Sequence, residues 1–297
     1  MERKTTADFD QEVLILFDAY VHGAIDRRGF LEKARKYAVG GMTAAMLLDA
    51  LNPKFAEAQQ VAPDDKRLKA EEIEFPSPQG YGKAKGYLVR PAAATGKLPS
   101  ILVVHENRGL NPHIRDIARR IALENFMALA PDALAPLGGY PGEEDAARGL
   151  FPKLEQAKTR EDFVAAVDFL KTRPDSTGRV GVVGFCYGGG IAHMLATRVP
   201  DLAAAVPFYG NSPSPDEAAK VKAALLIHFA ENDERINAAW PAYEEALKKA
   251  GVQYTAYTYP GTSHGFNNDT TPRYDEAAAK LAWQRTIDFF NKHVRAT

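Results

Sequence analysis

Apolar positions follow two spacings along the chain. Residues 8–25 place Val13, Leu14, Phe17, Tyr20 and Val21 on one side of a helix, which predicts an amphipathic helix that docks on something. From residue 66 onward, short apolar runs alternate with helical patterns. The runs at 100–105 (SILVVH), 127–130, 179–185 (RVGVVGF), 203–209, 224–230 and 254–259 predict strands. The stretches at 112–125, 160–172, 189–198, 238–250 and 275–293 predict the helices between them. Such alternation predicts an α/β fold, a mostly parallel central sheet with helices on both faces. Residues 71–75 and 85–90 read as an antiparallel hairpin at the sheet edge, and 136–153, rich in Gly and Pro at its start, as a crossing loop or cap. The chain divides into an N-terminal helical extension, 1–65, and a catalytic-type domain, 66–297.

Composition narrows the partners. With 297 residues and 45% hydrophobic content a large core can form, and 37 Lys+Arg against 38 Asp+Glu call for neither nucleic acid nor an anionic membrane. A small molecule is the expected partner, with no cofactor. One cysteine rules out an internal disulfide. In the extension, Asp26-Arg27-Arg28-Gly29-Phe30-Leu31, a weakly apolar run at 38–51 and Ala56-Glu57-Ala58 follow the order of a twin-arginine export signal. The other reading is a helical extension that packs on the domain or on a second copy in a homodimer. The apolar run, interrupted by Asp49, is too short for a stable membrane anchor. Cytoplasmic and periplasmic placements both stay open.

Gly184-Phe185-Cys186-Tyr187-Gly188 fits G-x-nucleophile-x-G where a buried strand turns at once into a glycine-opened helix. A thiol there faces the helix N-terminus, whose free N–H groups favour thiolate. A buried structural cysteine is the ordinary alternative, but the flanking glycines favour catalysis by Cys186. A base and a group that fixes its tautomer must follow in chain order. Asp233, just past the run at 224–230, and His264, in the loop after 254–259, supply that order at strand carboxyl ends. The other histidines are set aside: His193 lies inside a helix, His228 inside a strand, His113 at a helix start, and His22 and His293 on outlying helices.

The loop His105-Glu106-Asn107-Arg108-Gly109 follows the first parallel strand, where an oxyanion donor usually arises. The backbone N–H groups of Tyr187 and Asn107 are the candidates. Arg108, Arg148 and Tyr140 are candidate substrate contacts. No metal is expected, because His105-Glu106 and His113 lack the paired spacing of a zinc site.

With Glu106, Gly-Phe-Cys-Tyr-Gly-Gly, Asp233 and Ser-His-Gly-Phe in place, the chain from about residue 70 resembles the dienelactone hydrolase (carboxymethylenebutenolidase) family of the α/β-hydrolase fold. The resemblance implies a Cys186–Asp233–His264 triad and a Glu106 that accepts from the resting thiol. The family's Ser after the histidine is here Gly265, its substrate-binding Arg falls at Asn267 or Asn268, and Arg148 is a loose match for a second arginine. The expected activity is hydrolysis of a lactone or small ester through a cysteine acyl-enzyme. Alternatives are a thioesterase or peptidase-like hydrolase of the same fold, and a non-catalytic thiol-bearing binding or redox protein.

Overall fold

In the computed structural model, which describes residues 4–39 and 41–295, a helical head precedes an eight-stranded sheet. The head comprises α1 (Gln11–Val21), α2 (Arg27–Ala34), α3 (Ala44–Leu51) and α4 (Phe55–Ala58). The domain follows as β1 (Leu68–Ser77), β2 (Gly82–Pro91), β3 (Leu98–Val104), α5 (Pro112–Leu123), β4 (Met127–Pro131), α6 (Glu144–Leu150), α7 (Gln156–Thr172), β5 (Ser176–Phe185) and α8 (Tyr187–Arg198). It ends with β6 (Ala204–Phe208), β7 (Ala224–Asn232), α9 (Glu234–Asn237), α10 (Trp240–Lys249), β8 (Tyr254–Ser263) and α11 (Glu276–His293). The strand order is β1-β2-β4-β3-β5-β6-β7-β8. Among the described residues only β1–β2 and β2–β4 pair antiparallel, so the edge hairpin and the parallel body are as the pattern predicts.

Alternation of side chains along each strand builds two apolar layers. Leu102, Val104, Val182 and Leu225 join residues of α7, α8 and α10 such as Phe163, Leu195 and Leu247. Ile101, Val103, Val183 and Leu226 point the other way, toward Ile114, Ile117 and Ile121 of α5 and Phe290 of α11. The sheet is thus buried on both faces. Succession from β3 goes to β4 on one side and β5 on the other, so the carboxyl ends of β3 and β5 flank the crevice where such sheets bind ligands.

Several boundaries differ from the pattern. The 136–153 stretch carries α6, and 238–250 is α10 alone, with Pro241 in its first turn and α9 before it. The first helix is shorter than 8–25 because Asp10 caps it, its side chain accepting from Glu12 N, and Gly23 at φ +79° follows its end.

The apolar face of α1 turns inward. Val13, Leu14, Phe17 and Tyr20 pack with Phe30, Ala34, Leu48 and Leu51 in a small core whose buried members all belong to the head. Arg27 and Arg28 open α2, and Arg27 Nη1 bonds Asp145 Oδ2 at 2.9 Å. The head sits on the domain through polar contacts. Asn107 Nδ2 and Arg108 Nη2 donate to Val21 O, each at 3.1 Å, Arg148 Nη1 to Tyr20 O at 3.2 Å, and Arg273 Nη1 to Asp18 Oδ1 at 3.3 Å. Its C-terminal end is pinned where Lys54 N donates to Thr270 O at 2.7 Å and Asp116 Oδ1 accepts from Val61 N at 2.8 Å. Among the described residues, no helix is long and apolar enough to cross a membrane.

Candidate active site

At the end of β5 the chain reverses through Cys186, whose φ of 55° and ψ of −111° lie where L-residues rarely go. Such a conformation costs about 1–3 kcal/mol and persists only when its surroundings enforce it. Here Cys186 N donates to Phe208 O at 3.0 Å, and the next helical turn closes through Gly189 N to Cys186 O at 3.0 Å. A Cβ on Gly184 would stand 1.9 Å from Gly188 O, and one on Gly188 2.3 Å from Val104 O, so neither position tolerates a side chain. Tyr187 opens α8, which leaves its N–H without an intrahelical acceptor.

Asp233 occupies the cap position of α9 but makes no side-chain cap bond. Its Oδ2 instead receives His264 Nδ1 at 2.5 Å, with both residues buried. That contact fixes the imidazole tautomer and leaves Nε2, which is buried and has no hydrogen-bond partner. The Cys186 sulfur and one ring nitrogen each of His264 and His22 all lie within 4.8 Å of one another.

His22, set aside in the sequence as a residue of an outlying helix, belongs to this site. It follows α1, and its Nε2 meets the Cys186 Sγ at 3.4 Å. The head folds back over the domain, so positions 22 and 186 meet through tertiary contacts that no local spacing reveals. His22 Nδ1 faces Asp18, 2.9 Å from its carbonyl and 3.3 Å from Oδ2. Arg235 Nη2 stands 3.2 Å from His22 Nε2. The resemblance puts Glu106 on the resting thiol; here Glu106 Oε2 accepts from Asn268 Nδ2 at 3.0 Å, and the sulfur's hydrogen bond goes to His22.

Charge is unevenly shared among these groups. Burial pushes the Cys186 thiol up, but the His264 charge and the contacts with His264 and His22 outweigh it and hold the thiol at about 6. Burial opposes charge on His264, and the sulfur and Asp233 overcome it, raising the imidazole to about 10. His22 is raised too: burial works against it, while Asp18 and then Cys186 prevail. The arrangement favours thiolate on Cys186 and positive charge on the imidazoles beside it.

A cavity of about 40 Å3 adjoins the sulfur, walled by Phe17, Tyr20 and Val21 of the head and by Glu106, Arg108 and Arg273 of the domain. Of the three candidate substrate contacts only Arg108 lines it. Arg148 lies over the Tyr20 ring, 3.9 Å from its centroid, and holds the head, while Tyr140 donates to Glu144 Oε1 at 3.0 Å and lines a separate hollow. Arg273, which the sequence reading missed, supplies a guanidinium to the cavity wall beside Asn268. It packs over Gly265, at φ +86°, and it escaped notice because it sits in an irregular loop beyond the motif. One thiolate and two imidazoles are also the donors that a soft or borderline cation takes.

The dienelactone hydrolase family model matches residues 84–294, and a second model, YqhI-like, matches residues 1–40. A Methylorubrum extorquens protein provisionally named carboxymethylenebutenolidase is 31% identical over 275 residues, 88% of this chain and 93% of its own. A provisionally named hydrolase fragment, YghX of Escherichia coli K12, is 54% identical over 109 residues, 37% of this chain and 93% of the fragment. Among solved structures, a provisionally assigned dienelactone hydrolase from Klebsiella pneumoniae superposes with a TM-score of 0.67 at 29% identity, covering 76% of this chain and 99% of that one. The α/β-hydrolase architecture, the elbow and these matches agree, and the chain belongs to the dienelactone hydrolase family and is a hydrolase.

Proposed function

We propose that the protein hydrolyses a lactone or small carboxylic ester through an acyl-enzyme on Cys186. One observation carries the reading: a sulfur on a strained elbow stands beside His264, whose other ring nitrogen is held at 2.5 Å by buried Asp233. His264 holds the proton that the thiol has given up, and the thiolate attacks the carbonyl carbon. The carbonyl π electrons move to oxygen, which the backbone N–H groups of Tyr187 and Asn107 receive. Collapse restores the carbonyl and breaks the C–O bond, and the leaving oxygen takes the proton from His264. A water that gives a proton to His264 then cleaves the thioester, releasing the acid and the thiolate. Arg108 and Arg273 offer positive charge to a substrate carboxylate.

The cavity supports a further point. About 40 Å3 holds a few waters, whereas small-molecule sites run to about 300–1,000 Å3. Substrate therefore enters when the head lifts. With 4-nitrophenyl acetate, the full-length protein gives a burst of nitrophenolate equal to the enzyme and an acetylated Cys186 by mass spectrometry. A Cys186→Ala variant that turns over at the wild-type rate overturns the reading.

A further inference from the structure

We propose that Cys186, His264 and His22 form a site for a borderline divalent cation of the zinc type, which latches the head shut over the nucleophile. The sequence offers no zinc spacing because the three donors come from segments far apart in the chain, two from the domain and one from the head. The fold assembles them. The sulfur lies 3.4 Å from His22 Nε2, and all three donor atoms lie within 4.8 Å of one another. Zinc with Zn–S of about 2.3 Å and Zn–N of about 2.0–2.1 Å sets tetrahedral donor atoms about 3.3–3.6 Å apart. One pair already has that spacing, and the others close by little more than about 1 Å.

What stands behind the donors agrees. Zinc-binding histidines almost always present their second nitrogen to a carboxylate or carbonyl. Both imidazoles here do so, His264 Nδ1 to Asp233 at 2.5 Å and His22 Nδ1 to the Asp18 carbonyl at 2.9 Å and its carboxylate at 3.3 Å. In each ring Nε2 is the nitrogen not held from behind. His264 Nε2 is buried and is the ring nitrogen that the Asp233 contact leaves for the sulfur or for a cation. The cavity of about 40 Å3 beside Cys186 and His264 has room for a water as fourth ligand.

The charges facing the site are mixed. Asp18 and Asp233 lie behind the ligands and Glu106 lines the cavity, while Arg235 Nη2 stands 3.2 Å from His22 Nε2 and Arg273 pairs with Asp18. Arg235 is exposed, so its guanidinium swings into solvent as the ion enters. On binding, the sulfur and two nitrogens each donate an electron pair to the cation, and any protons on them go to solvent. The ion ties head to domain and occupies the thiolate. Its inhibitory consequence rests on the reading of Cys186 as nucleophile; the binding does not.

The test titrates full-length, metal-free protein with zinc chloride against a chromophoric chelator. Expected are one bound equivalent, loss of iodoacetamide labelling at Cys186, loss of esterase activity restored by EDTA, and slower amide exchange across residues 11–21. His22→Gln weakens binding at least about 100-fold, and Asp18→Asn weakens it roughly 10–100-fold, as expected for a carboxylate behind a ligating histidine. Cobalt in place of zinc gives a thiolate charge-transfer band that His22→Gln diminishes, with circular dichroism confirming that the variant is folded. Zinc that fails to bind stoichiometrically, or binds His22→Gln as tightly as wild type, overturns the latch. Metal-free protein that forms no acyl-enzyme but binds zinc through His22 overturns the hydrolytic reading and leaves the latch standing.

Discussion

The domain and the head are held by opposite means. In the domain, alternate residues of β3, β5 and β7 enter apolar layers on both faces of the sheet, and α5, α7, α8, α10 and α11 close over them. In the head, α1–α3 enclose a core of their own. The seam between the two is made of arginine forks on main-chain carbonyls and of carboxylate pairs. Apolar burial is cooperative and resists partial opening, whereas polar interfaces between compact units are where motion is the default. The two halves of the site therefore differ in kind: Cys186, Asp233 and His264 are carried by the domain's own fold, and His22 arrives on a separately cored head seated by polar contacts.

The sharpest way to break this comparison is to damage each side separately. Asp233→Asn removes the group that orients His264 and lowers kcat by about 10⁴-fold, the size of effect known for such a change in a serine triad; stopped-flow turnover checks it, and loss below tenfold refutes the fixed half. Leu102→Ala empties a fully buried position in the domain and costs about 2–5 kcal/mol of global stability by urea unfolding. Phe30→Ala removes a side chain as deeply buried, yet its cost of about 3–5 kcal/mol falls on the head alone. Amide exchange then rises in residues 11–51 while the domain's unfolding midpoint holds. A concerted loss of both would erase the distinction. Arg273→Ala removes one charged hydrogen bond of the seam and eases head opening by about 1–3 kcal/mol, read as faster thiol labelling.

The smallest effect is a shift in titration. Because the thiol is held at about 6, below its ordinary value, thiolate is present above that pH and is lost as pH falls through it. His22→Gln withdraws one of the groups that lower it, so the midpoint of the iodoacetamide rate profile moves up. A midpoint that stays in place separates His22 from the sulfur.

Strands of the domain were legible because burial on both faces writes continuous apolar runs, and the elbow because steric crowding admits only glycine at positions 184 and 188. Asp233 and His264 were legible because strand carboxyl ends converge. Strand and helix ends drifted where capping decides them, as at Asp10 and Gly23. His22 and Arg273 were not legible, since one comes from a helix that reads only as amphipathic and the other from an irregular loop. Tyr140 and Arg148 looked available as polar residues in a capping segment, and the fold spends them on Glu144 and on the head.

The anchorage at Lys54 and Val61 ties the C-terminal end of the head to the domain close to where the head is seated. An opened α1 stays within reach of its seat, and a short flexible link sets effective concentrations of about millimolar order. On the proposed opening, its return is a unimolecular event whose rate ignores dilution.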